Sequence, residues 1–165
     1  MSRIKTALQK GSQGFTIIEV MIVLAIAGLI LGVVLVAIPQ LQKNQRNESR
    51  KSVLARISAE VDNYIGNNEG VVPTNTNSLT TGFTTGFMER YITSASGRTF
   101  DKPGGGNYSY LDYSSPSAVE VDTIVYHAGG KCDGELPSGT GASATRNFAI
   151  AVGLEGGSSY CVDNE

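Results

Sequence analysis

The chain has 165 residues, a mass of 17.4 kDa and a formal net charge of −2, with 13 basic and 15 acidic residues. This length accommodates one domain and an anchor, and it excludes two full domains. From Gly66 onward 5 basic residues face 11 acidic ones, a balance that argues against nucleic-acid binding by this part of the chain.

Residues 1–14 are short, polar and basic, with Arg3, Lys5 and Lys10 and no acid. Such a stretch is typical of the first part of an export signal. An ordinary signal peptide could end at Ala27, because Ala25-Ile26-Ala27 has the small-x-small pattern of a cleavage site. That cut would leave an exposed apolar stump, so an ordinary signal peptide is disfavoured.

An apolar segment of 24 residues follows, from Phe15 to Ile38, and Glu19 is its only charged residue. A helix of that length spans roughly 36 Å, enough to cross a hydrocarbon core of ~30 Å. A carboxylate inside such a segment costs up to ~3 kcal/mol and indicates a function that involves a partner. The segment contains no basic residue, so we expect that partner to come from outside it.

These features together resemble the N-terminus of type IV prepilins. The family shares a short basic leader that ends in Gly, then Phe and Thr, an acid at the fifth mature position, and a long apolar run. Glu19 is the fifth residue after Gly14. Two residues depart from the commonest pattern: Ile17 stands where Leu is usual, and Pro39 comes three residues later than the helix proline commonly does.

The resemblance implies that a prepilin peptidase cuts between Gly14 and Phe15 and that the new Phe15 amine is N-methylated. In a filament that amine can approach Glu19 of a neighbouring copy and set the register between helices. The implied partners are other copies of the chain, the peptidase and N-methyltransferase, membrane lipid before assembly, and an inner-membrane assembly platform. We expect no cofactor and no metal.

Beyond Pro39, which we expect to end or kink the apolar run, residues 40–67 have apolar side chains at helical spacing, including Val53, Ile57 and Val61. This stripe predicts an amphipathic helix that packs on a sheet. Glycine and asparagine from Gly66 to Gly70 predict its end. Four basic residues follow the membrane segment about as closely as three precede it, so the positive-inside rule is close to neutral here; they are Lys43, Arg46, Arg50 and Lys51.

Residues 68–165 are rich in glycine and alternate as short strands do. We predict a short helix near 87–93 and four strands, at 107–113, 119–126, 147–154 (central) and 158–162 (edge). The predicted fold is therefore α+β: a long N-terminal helix, half transmembrane and half amphipathic, packed on a C-terminal antiparallel sheet, as in type IV pilins. The predicted regions are a leader at 1–14, a membrane or filament-core helix at 15–39, an amphipathic half at 40–67 and a head at 68–165.

The two cysteines, Cys132 and Cys161, favour a disulfide in an exported head; the alternative is a reactive cysteine near His127. Asp133 and Glu135, with Asp101, Asp112 or Asp122, could in principle form a calcium site, but no EF-hand spacing is present, so solvated acids are the simpler interpretation. Two Asn-x-Ser triplets, at Asn47 and Asn107, match the N-glycosylation pattern, which is short enough to occur by chance. With one histidine and no catalytic constellation, we expect no enzyme.

We therefore expect a structural subunit of a type IV pilus, a single-pass protein of the cytoplasmic membrane as a precursor and extracellular after assembly. Its output would be adhesion, twitching motility or DNA uptake. The nearest alternative is a pseudopilin of a type II secretion or competence system. An alternative of another class is a membrane-anchored extracytoplasmic binding domain that does not polymerise.

Overall fold

The structure, a computed structural model, describes residues 14–73, 87–92, 100–112, 118–139 and 146–165. The predicted leader, apart from Gly14, lies outside these residues. Contacts divide the chain into two units, Met1–Leu41 and Gln42–Glu165, and each is described separately below. The second unit contains the second half of α1 as well as residues 68–165, and from this point the word head means the whole unit.

Helix α1 spans Ile17–Asn67 and includes Pro39. Its last turn ends as the glycine and asparagine content predicts. The Gly70 amide donates to the Ile65 carbonyl at 2.9 Å, and the Asn68 side chain donates to the Tyr64 carbonyl at 2.8 Å. Gly70 has φ +84°, a conformation that glycine adopts without the steric cost of a Cβ. A bend at Pro39 stays a prediction.

The head contains a four-stranded sheet in the order β1-β2-β5-β6 and a two-stranded hairpin, β3–β4. The strand bounds are β1 Ser109–Asp112, β2 Thr123–Ala128, β3 Lys131–Asp133, β4 Leu136–Ser138, β5 Phe148–Gly153 and β6 Ser159–Asp163. A five-residue π-helical turn, Met88–Ile92, occupies the place of the predicted short helix. The α+β fold class is confirmed, with one correction: β1 pairs with β2 in parallel, while β2–β5 and β5–β6 are antiparallel.

The core lies between the second half of α1 and one face of the sheet. Because side chains alternate along a strand, Ile124 and Ile150 contact the helix side, while Val125 and Ala151 contribute to a smaller cluster with Leu136 of the hairpin. The predicted helix stripe is confirmed, since its central residues are buried in that core: Val53, Leu54, Ile57 and Val61. β5 lies between β2 and β6 and is buried along its whole length, which confirms it as a central strand.

Strand β2 begins four residues later than predicted. Asp122 has φ +61°, which interrupts an extended chain, and the Thr123 amide donates to the Glu120 carbonyl at 3.1 Å to close a turn. Glu120 also lies against β5: a Cβ added at Gly153 would overlap the Glu120 carbonyl oxygen. Only glycine allows the two backbones to approach this closely.

Candidate functional site

The start of α1 is built by a reciprocal pair of side chains, Thr16 and Glu19. The Thr16 amide donates to Glu19 Oε2 at 2.8 Å, and the Thr16 hydroxyl donates to the same oxygen at 2.7 Å. In return Thr16 Oγ1 accepts from the Glu19 amide at 3.3 Å. Because the helix begins at Ile17, Thr16 is the N-cap and Glu19 the third helical residue, which is the geometry of a capping box.

This geometry corrects one step of the sequence reasoning, which looked for a partner of Glu19 only outside the apolar segment. Thr16 supplies two hydrogen-bond donors to the carboxylate from within the same chain, and the positive end of the helix dipole favours an acid at this place. The Thr-x-x-Glu signal was present in the sequence and could have been used. Both bonds end on Oε2, and among the described residues Oε1 accepts none.

The predicted cleavage junction, Gly14-Phe15, lies before the first helical residue, in exposed backbone without regular secondary structure. The Phe15 side chain is 88% exposed, and a Cβ added at Gly14 would meet no atom within 4 Å. Folding therefore does not require glycine at position 14. If glycine is needed there, the reason lies in recognition by another protein.

Almost the whole surface of α1 from Ile17 to Leu41 is apolar and exposed. Among the described residues, α1 is the one helix long and apolar enough to cross a membrane. Its most apolar stretch is not buried in the protein. Gly28 and Gly32 line a shallow groove on this surface, and added Cβ atoms would meet nothing at either position. Exposure of this much apolar area in water costs about 25 cal/mol per Å², so lipid or other protein must cover it.

Charged side chains join the second half of α1 to two loops, one before β2 and one between β5 and β6. The four residues, here called the ion cluster, are Arg46, Arg50, Asp122 and Glu155. Arg46 donates to both carboxylate oxygens of Glu155 at 2.7 Å. Arg50 is 3% exposed and contacts Asp122 at 2.8 Å and Glu155 at 3.0 Å. Asn47 adds a reciprocal pair, because its side chain exchanges hydrogen bonds with the Glu155 backbone.

The ion cluster keeps the Glu155 carboxylate charged. Its hydrogen bonds to Arg46, with a further contribution from Arg50, lower the pKa of Glu155 to about 2. Acidic partners also exist for three of the four basic residues that follow the apolar segment. Arg46 and Arg50 are neutralised by acids of the folded head, and Lys51 contacts Glu48 at 2.9 Å. The charges of these three residues are thus balanced by acids once the head has folded.

Cys132 in β3 and Cys161 in β6 lie at disulfide distance, with Cα atoms 5.9 Å apart. Two hydrogen bonds join the same elements: the Cys132 amide donates to Asp163 Oδ2 at 2.7 Å, and the Ser159 amide donates to Glu135 Oε2 at 3.0 Å. The β3–β4 hairpin, which the sequence reasoning missed, is therefore held against the edge strand β6. Burial lowers the pKa of His127, the histidine considered as partner of a reactive cysteine.

The acids considered for calcium have other roles or stand apart. Asp122 pairs with Arg50, and Glu135 accepts the Ser159 amide. Within the described parts of the chain, no group of three or more histidine, cysteine, aspartate or glutamate side chains is arranged to hold a metal ion.

These features define a protein with an exposed, capped apolar helix at its N-terminus and an α+β head. Residues 9–35 match the family model of the prokaryotic N-terminal methylation motif, the signature of type IV prepilins. The chain is thus similar to type IV prepilins and pseudopilins at its N-terminus, and the motif marks a structural, prepilin-type protein. With its apolar helix it fits a membrane-anchored precursor. No curated protein and no solved structure matches the chain significantly.

Proposed function

We propose that the chain is a type IV pilin, cut between Gly14 and Phe15 by a prepilin peptidase, N-methylated on Phe15 and polymerised into an extracellular helical filament. The observation that carries the proposal is the methylation motif at residues 9–35. It includes the point where the structure changes from exposed backbone without regular secondary structure to a capped helix that begins at Ile17. The fold of the head supports the same proposal, because a helix packed on an antiparallel-rich sheet is what the resemblance implies.

Cleavage creates a positively charged partner for the Glu19 carboxylate. Hydrolysis of the Gly14–Phe15 peptide bond turns the Phe15 nitrogen into a positively charged amine, and in a filament that amine approaches Glu19 of a neighbouring copy. Thr16 occupies Oε2 and leaves Oε1 open to this second partner. At about 4 Å and an effective dielectric constant near 20, two unit charges attract by about 4 kcal/mol before desolvation is subtracted. Apolar contacts alone permit many registers, so this pair would select one.

The apolar surface of α1 would be covered first by lipid and then by other copies of the same helix. Gly28 and Gly32 would allow close approach of a neighbouring helix backbone. The assembly platform in the inner membrane would transfer subunits from one environment to the other. The head would lie outside the cytosol, in an oxidising compartment where Cys132 and Cys161 can form a disulfide.

Mass analysis of the mature N-terminus tests the proposal. We expect a chain that begins at Phe15 and carries one N-methyl group. A mature chain that begins at any other residue would overturn the proposal. Gly14→Ala, or a larger side chain at this position, should block processing without affecting the fold, because space is open there; continued cutting before Phe15 would place recognition elsewhere.

Two substitutions at Glu19 separate its charge from its capping role. Glu19→Gln retains an oxygen that can accept the Thr16 donors but has no charge, whereas Glu19→Ala loses both. If register depends on the charge pair, both variants are inserted and processed but neither forms filaments in electron micrographs. Normal filaments from Glu19→Gln would refute the charge pair and leave capping as the role of Glu19.

The capping box also favours one alternative, a membrane-anchored extracytoplasmic domain that does not polymerise. A simple anchor could use Thr16 and Glu19 to begin its helix, so Glu19 no longer needs a partner from another copy. Crosslinking distinguishes the two functions. In intact cells an amine-reactive crosslinker, which can join one copy to two others through lysines such as the exposed Lys131, gives a ladder of oligomers in a filament and no ladder beyond chance dimers in an isolated anchor.

A further inference from the structure

The two Asn-x-Ser triplets of the chain lie in contrasting environments. Asn47 belongs to helix α1, and both polar atoms of its side chain are engaged: Nδ2 donates to the Glu155 carbonyl at 3.2 Å, and Oδ1 accepts the Glu155 amide at 2.9 Å. Any group joined to the Asn47 side chain would break the contact between helix and loop. This triplet is therefore unsuited to modification in the folded head.

Asn107 lies at the end of a tight glycine turn on the surface. The Lys102 amide donates to the Gly106 carbonyl at 3.0 Å, the Gly105 amide donates to the Lys102 carbonyl at 2.9 Å, and a β-bridge joins Asp101 to Asn107. The Asn107 residue is exposed, and no hydrogen bond joins its side-chain amide to another described residue. A bulky group attached there would extend into solvent.

Ser109, the hydroxyl residue of this triplet, is exposed like Asn107. Tyr108 is 4% exposed and belongs to the core, whereas Ser109, the first residue of β1, is exposed. Since side chains alternate along an extended chain, Asn107 and Ser109 share the outer face while Tyr108 anchors the segment. An enzyme that reads the asparagine and the hydroxyl two residues later can reach both from one side.

We propose that Asn107 is an N-glycosylation acceptor of the exported head, with Ser109 as the recognised hydroxyl residue. The inference rests on the proposed function in one respect, because the head must be outside the cytosol to meet the transferase. Glycans on Asn-x-Ser/Thr are bulky and need a surface position. The donor class is a lipid-linked pyrophosphate oligosaccharide, used by a membrane-bound oligosaccharyltransferase.

In the transfer, the Asn107 side-chain nitrogen attacks C1 of the first sugar of the donor. An N–C1 bond forms and the bond between C1 and the phosphate oxygen breaks, so the lipid pyrophosphate leaves with the bonding electron pair. The nitrogen loses one proton to a base of the transferase, and no atom is oxidised or reduced. The glycan is thereby placed beside β1, which forms one edge of the four-stranded sheet.

The test is peptide mass mapping of the full chain purified from its own host, for the natural sequence and four variants. We expect a hexose-containing mass increment on the peptide that includes Asn107 and none on the peptide that includes Asn47. Asn107→Gln and Ser109→Ala should reduce the modified peptide to background, while Ser109→Thr should keep it. Asn63→Gln, a change at an exposed asparagine outside any triplet, is the matched control and should leave the modification unchanged.

Peptide mass mapping also identifies the first residue of the chain. Failure of the glycosylation proposal can therefore be distinguished from failure of the proposed function. An unmodified Asn107 on a chain that begins at Phe15 overturns the inference and leaves the proposed function intact. A modification that persists in Ser109→Ala also overturns it, because the triplet would not be the recognised element. A glycan on Asn107 of a chain that is not cut before Phe15 supports the inference and contradicts the proposed function.

Discussion

Removal of Arg50 is the sharpest test of how the head is held to its helix. Arg50→Met keeps the length and the apolar stem of the side chain but deletes the guanidinium. That group is buried and donates to Asp122 at 2.8 Å, to Glu155 at 3.0 Å and to Asn47 at 3.2 Å. Two loops of the sheet therefore lose a shared partner at once.

The expected loss in the free energy of unfolding follows from the burial of Arg50. Breaking a buried ion pair by removing one partner costs about 3–5 kcal/mol, because the other charge remains without compensation. Asp122 and Glu155 are both 25% exposed, and Glu155 keeps Arg46, so we expect the lower end, about 3 kcal/mol. This is a large fraction of the ~5–15 kcal/mol that stabilises a typical domain.

The assay is urea unfolding of the full chain in detergent micelles, followed by near-ultraviolet circular dichroism of the head tyrosines. With a slope of about 1.5 kcal/mol per M, a loss of about 3 kcal/mol lowers the midpoint by about 2 M. Lys51→Met is the matched control, since Lys51 is partly exposed and pairs with Glu48 one turn away; it should cost about 1 kcal/mol or less. Equal losses in the two variants would refute the reasoning.

Three further predictions test other parts of the chain. The free energy of unfolding should fall as the pH drops from about 4.5 toward 2, because a carboxylate whose pKa is lowered by folding stabilises only while ionised; Glu155→Gln should flatten this part of the pH profile in acid titrations. Gly153→Ala should prevent normal folding, since its Cβ would overlap the Glu120 carbonyl, and a native dichroism spectrum would contradict this. Thr16→Ala should weaken the first turn of α1 by about 0.5–2 kcal/mol, seen as faster amide exchange near Glu19, and Thr16→Ser should restore protection.

The front of the chain could be predicted in detail because its signals are local. The start of the helix, the apolar run and the acid at the fifth position after Gly14 are all consecutive in sequence. The Thr16–Glu19 capping box is equally local, and it was missed because the reasoning treated Glu19 as a charge in lipid rather than as part of a helix terminus. The helix stripe and the central strand β5 were also predictable, since periodic burial leaves a periodic pattern.

The head could be predicted only in outline. The parallel pairing of β1 with β2 and the β3–β4 hairpin depend on contacts between distant residues. The late start of β2 depends on the left-handed conformation of Asp122, which an aspartate adopts only occasionally. The ion cluster joins residues 105 and 72 positions apart, Arg50 with Glu155 and with Asp122, and no local pattern indicates which arginine meets which acid.

By itself the sequence determined that this protein has a motif-marked, apolar N-terminal helix followed by an amphipathic half and a glycine-rich head. Hydrophobic length and helical periodicity are properties of consecutive residues, so they need no fold to be read. Tertiary structure alone decided that Arg46 and Arg50 bind distant acids of the head, that Asn47 is engaged and that Asn107 is exposed. These facts depend on which surfaces become buried, and burial is settled only when the distant strands and the helix have packed together.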